Sequence, residues 1–166
     1  MSGRLGNFFF SSVTVPAQNQ LAPFESVSEI ERLVAAFENG TLPRPEWTHR
    51  AHLTVATWYL AKHPVAAATP LIRNGILKLN AALGIVSDAD HGYHETITRF
   101  YIGLIAHQLS TVGANVSLVD VVNALLARHG HVGLPAEYYR REHLMSREAR
   151  ARWVEPDLKP FEWPIL

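Results

Sequence analysis

The chain contains no cysteine, which excludes disulfides, thiolate catalysis and any cysteine-ligated zinc centre. It also has no net charge, because 15 Lys and Arg balance 15 Asp and Glu. No global field therefore draws it to nucleic acid or to an anionic membrane. Lysine in particular is scarce. No apolar run approaches the roughly 20 residues that a membrane span requires. The triplet Phe8-Phe9-Phe10 follows Arg4, but Ser11, Ser12 and Thr14 interrupt it too soon for a secretory signal. There is no glycine-rich phosphate loop, and no serine sits in a nucleophile elbow. Together these absences predict a cytoplasmic protein with neither nucleic-acid nor membrane partners.

What is present is 166 residues, 48% of them hydrophobic, enough for one domain with a sizeable core. Residues 1–24 lack helical periodicity and are rich in Ser, Gln, Asn and Pro, so they read as a flexible N-terminal arm. The Phe triplet is available to pin part of that arm, on this chain or on a neighbouring subunit, which leaves a homo-oligomer open. Residues 25–166 read as an all-α, single-domain bundle of about five helices with an irregular C-terminal tail.

The helices follow from apolar spacing. Ser28 and Glu31 fit a capping box ahead of the stripe Ile30, Leu33, Val34 and Phe37, and Gly40 fits the position that ends the helix. A second helix starts near Pro45 or Thr48 and is apolar almost all round from Ala51 to Ala61, the mark of a central, buried element. A third spans about Val65 to Leu83, with a kink or restart expected at Pro70. A fourth runs from about His91 to Ser110 on the stripe Ile97, Tyr101, Leu104 and Ile105. Ser117 caps a fifth, with the stripe Leu118, Val121, Val122 and Leu125. A short helix after Ser146 is expected, and Pro156, Pro160 and Pro164 impose an extended tail.

Histidine is frequent, with 9 copies, and it clusters twice: Trp47-Thr48-His49-Arg50-Ala51-His52-Leu53 and His91-Gly92-Tyr93-His94-Glu95-Thr96. His49 and His52 lie about 60° apart around a helix and share a face with Leu53, Ala56 and Leu60. His94 stands above Ile97 and Tyr101, and His91 shares a face with Glu95 if the helix already includes it. His-x-x-His on one helix with His and Glu on another is the ligand supply of helical-bundle metal sites. With no thiolates, His49, His52, His91 and His94 would hold a divalent ion such as zinc, iron, nickel or manganese, and Glu95 would serve as base. The positive end of the helix dipole favours neutral imidazoles in the first turn, and Trp47 is placed to wall a pocket. The same residues also fit satisfied core histidines, with Glu95 and Arg99 as an i, i+4 ion pair. The basic and aromatic residues near the C-terminus, Tyr138 to Arg152, are interleaved with Glu137, Glu142 and Glu148 and read as a solvated face or a subunit contact.

The strings at 47–53, 92–101 (Gly-Tyr-His-Glu-Thr-Ile-Thr-Arg-Phe-Tyr) and 153–158 (Trp-Val-Glu-Pro-Asp-Leu) resemble segments of uncharacterised bacterial proteins, over residues 37 to 160 or so. That resemblance implies no activity. A looser likeness, of fold class alone, is to the DinB-like helical bundles, which hold a metal with three histidines.

Two functional expectations follow. The first is a small-molecule enzyme, a metal-dependent hydrolase or transferase, with a His-lined pocket between the second and fourth helices. The second is a non-catalytic module for a small ligand or a protein partner, in which the histidines orient the ligand or are structural.

Overall fold

Ile30, Val34 and Phe37 form the buried face of the first helix, α1 (Val27–Asn39), in the computed structural model of the chain. The structure describes residues 22–113 and 115–163. Almost all of the expected N-terminal arm lies outside them. Of its last residues, Phe24 is docked. Its backbone exchanges two 2.9 Å hydrogen bonds with the side-chain amide of Asn123, and the Arg50 guanidinium covers its ring.

The N-terminus of α1 corrects the expected capping box. The N-cap is Ser26, whose side chain makes no capping bond. Glu29, three residues on, accepts the backbone N–H of Glu25 at 2.8 Å. Ser26 and Glu29 have the same spacing as Ser28 and Glu31, so the pattern alone cannot choose the register. Gly40 ends the helix at φ +70, a conformation that favours glycine.

α2 (His49–Lys62) is central and packs on α1, α3 (Val65–Ala82), α4 (Glu95–Thr111) and α5 (Leu118–His129). Its second and fourth-helix adjacency follows from its near-continuous apolar surface. Two threonines buried within it, Thr54 and Thr57, donate back to the carbonyls of Arg50 and Leu53 at 2.8 and 2.7 Å, so no hydroxyl is left unsatisfied. α3 runs unbroken through Pro70, where a restart was expected. Pro70 and Ala66 are exposed, so water can take the Ala66 carbonyl that the proline leaves without a donor.

The largest difference concerns α4. It begins at Glu95, not at His91, because the His94 ring caps it. Residues 85–94 form a loop, so His91 and Glu95 do not share a helical face. After α5 the chain makes a 3₁₀ turn (Leu134–Glu137) and two short helices, α6 (Arg141–Leu144) and α7 (Arg147–Ala151), the latter capped by Ser146 as its sequence suggests. The remaining irregular stretch folds back over α4. Phe161 and Trp163 join Tyr138 around Phe100, with ring centroids 5.0–5.6 Å apart. Among the described residues there is no strand, and no helix is long and apolar enough to cross a membrane.

Candidate functional site

The short turn Arg44–Glu46 delivers Trp47 to the rim of the bundle, and Thr48 caps α2 by accepting the Ala51 N–H at 3.4 Å. Trp47 is held on both sides. Its indole N–H donates to Oδ1 of the buried Asn80 at 3.1 Å, and its ring packs on Phe37. The Asn80 amide in turn donates to Ser87 Oγ, which also accepts the Tyr93 N–H. His52 stacks on the fixed indole with ring centroids 3.7 Å apart and planes inclined by 29°. Burial, with a smaller contribution from nearby His49, pushes the His52 pKa down to about 3. Its ring is therefore neutral, and its nitrogens have no hydrogen-bond partner among the described residues.

His52 borders two adjoining cavities. One, of about 270 Å³, lies between α2, α3 and α4; Ile72, Ile76, Ile97 and Ile102 form most of its wall, and His49 and Tyr101 stand at one end. The other, of about 330 Å³, is bounded by Trp47, Asn80, Tyr93 and His94. Ile76, Ile97 and Thr98 belong to both. Ile97 is the member of the α4 stripe left half-exposed: it packs on the core at one side and lines this space at the other.

At the far end, His49 packs edge-on against Tyr101, with centroids 4.9 Å apart, and its Nε2 meets the His129 carbonyl at 3.4 Å. Only a protonated nitrogen can donate to that carbonyl, so neutral His49 carries its proton on Nε2. Burial lowers the His49 pKa against the opposing pull of the carbonyl. The Tyr101 hydroxyl and His129 Nε2 are both buried without a partner. Burial raises the pKa of the former and lowers that of the latter.

The remaining expected site residues are engaged elsewhere. His94 lines the second cavity, but both of its ring nitrogens are taken: Nδ1 accepts the Ile97 N–H at 3.3 Å and Nε2 donates to the Leu144 carbonyl at 2.9 Å. His91 sits on the exposed loop with its Nδ1 3.2 Å from Asp88. Glu95 is buried, paired with Arg73 and accepting the Tyr93 hydroxyl at 2.7 Å. The expected partner Arg99 lies instead with its guanidinium over the Trp153 ring.

His49 and His52 thus share one cavity, His94 touches its neighbour, and His91 and Glu95 face other partners. Among the described residues no group of three or more His, Asp or Glu side chains comes together as a metal set. The lowered pKa values of His49, His52 and His94 agree in direction with the neutral imidazoles expected at helix starts, but burial is the main cause. In the sequence Tyr101 reads only as a core position. Its unpaired hydroxyl depends on which elements surround it, and no local pattern carries that. Set against protein-family models, curated proteins and solved structures, the chain has no significant match.

Proposed function

We propose that this protein binds a small molecule in the His52 cavity between α2, α3 and α4, with His52 as the group that orients it. The observation that carries this reading is the state of His52. It is a neutral imidazole, immobilised against Trp47, on the wall of two cavities, with no protein partner for either nitrogen. The ring is half-buried, and its nitrogens face the cavities rather than a protein group among the described residues. A ligand that hydrogen-bonds His52 there supplies the partner that the protein does not. Mostly aliphatic walls with a few convergent polar groups are the usual make-up of a small-molecule site.

The reading uses His49 and His52 as hydrogen-bonding groups rather than as metal ligands, because His94 and Glu95 are already committed. His52→Leu is expected to weaken binding of polar compounds found by ligand-observed NMR about 10-fold, with stability unchanged or slightly raised, since an apolar group replaces an unsatisfied one. Tyr101→Phe is expected to behave the same way in stability. Elemental analysis of protein purified without a tag tests the competing reading: stoichiometric zinc, iron, nickel or manganese, lost in His52→Leu, would replace this proposal with a metal-dependent enzyme.

A further inference from the structure

We infer that the cavity selects an uncharged ligand, a compact apolar ring system of about ten non-hydrogen atoms bearing a hydrogen-bonding group. The size rests on volume: an engineered 150 Å³ apolar cavity takes benzene, so 270 Å³ accommodates about ten such atoms. The lack of charge rests on the walls. No Lys, Arg, Asp or Glu lines either cavity. Of the formal charges beside the second cavity, Arg73 and Glu95 are paired with each other, and Arg150 is bonded to the carbonyls of Gly92 and Tyr93. A buried ion without a partner is strongly disfavoured, and histidines whose protonation burial opposes cannot supply a cation for an anionic ligand.

The polar group follows from accounting. Around the second cavity, Trp47 is spent on Asn80, Asn80 on Ser87, Tyr93 on Glu95, and His94 on Ile97 and Leu144. On the walls of the first, His52 remains, with His49 Nδ1 and the Tyr101 hydroxyl beyond it. A neutral imidazole both donates and accepts, so it fits an alcohol, a ketone or an amide equally.

This inference rests on the small-molecule reading above, and the experiment separates the two. Full-length protein with labelled isoleucine methyls is titrated at pH 7.5 with 2-indanol, indane, indane-2-carboxylate and 2-aminoindane, and separately pressurised with xenon. The expected result is saturable shifts at Ile72, Ile76, Ile97 and Ile102 with 2-indanol, about 10-fold weaker binding of indane, which cannot satisfy His52, and no binding of the carboxylate or the ammonium. In His52→Leu the alcohol should lose its advantage over the hydrocarbon. Equal or tighter binding of either ion, including an anion drawn to the start of α2, overturns the charge inference and leaves the cavity reading standing. Xenon or indane entering while 2-indanol gains nothing overturns the inference of a polar group. If neither xenon nor any of the four compounds moves those methyls, the small-molecule reading itself fails.

Discussion

His94 holds two backbone groups, one three residues on and the other 50 residues on: it caps α4 with one nitrogen and reaches the Leu144 carbonyl with the other. Truncating it strands both, so His94→Ala should lower unfolding free energy by about 1–3 kcal/mol in a urea titration. His94→Asn should recover part of that, because asparagine caps well but is too short for Leu144. His91→Ala should stay within about 0.5 kcal/mol of wild type, since its ring is exposed on a loop. If metal-free protein gave the reverse ranking, the assignment of His94 as a structural cap would be wrong. Acid tests the same residues. His49, His52, His94 and His129 all have folded pKa values below the unfolded value near 6.5. The unfolded chain therefore binds protons first. Stability from the neutral rings is complete above pH 6.5 and is lost as pH falls toward each folded pKa, reaching about 3 for His52. Each ring contributes a slope of about 1.4 kcal/mol per pH unit inside its own window. Denaturation midpoints from pH 7 to 4 should fall steeply in wild type and less steeply in His52→Leu. An identical slope in the two proteins would show that His52 does not titrate as described. The sequence shows which histidines sit near helix starts. It does not show that one is a cap and another lacks a partner, because the deciding groups, Leu144 and Trp47, come from other elements.

Between elements, α3 meets α1 closely at a glycine. A Cβ built on Gly75 would overlap the ring of Phe37, which is fully buried. Glycine inside a helix is normally the weaker choice by about 1 kcal/mol against alanine. Here the sign should reverse, with Gly75→Ala destabilising by about 1–3 kcal/mol through overpacking, read as a lower urea midpoint. A stabilised variant would mean that the two helices are free to part. The five long helices were legible because apolar spacing and caps such as Thr48 and Ser117 are local signals. The start of α4 was not, because histidine is an uncommon cap and the pattern at 91–95 suits a first turn equally well. α6 and the 3₁₀ turns were not legible either. They are too short for periodicity, and contacts with the rest of the chain hold them.

At the scale of the molecule, the stretch from 134 to 163 has no long helix of its own, yet it encloses one side of the bundle. It covers Phe100, accepts the Thr96 hydroxyl on the Arg152 carbonyl at 2.9 Å, and donates the Val154 N–H to Thr96 Oγ1 at 3.2 Å. Removing everything after residue 133 should leave a helical circular dichroism spectrum but a broad, non-cooperative melt, because α4 loses its cover. A sharp transition in the shortened chain would refute this. The same stretch also holds the loop that borders the second cavity. Arg147 grips Asp90 in a two-pronged pair at 2.9 and 3.0 Å, Arg150 donates to the carbonyls of Gly92 and Tyr93, and Leu144 receives His94. This arrangement has a consequence in time. A ribosome adding about 5–20 residues per second finishes α5 roughly 1–4 s before it has made the arginines and carbonyls that fasten the loop. During that interval the nascent bundle has its His52 wall but not the fastening on the opposite side. Any compound in the cell that favours the cavity meets an open cleft first and the closed site only after roughly twenty more residues are made.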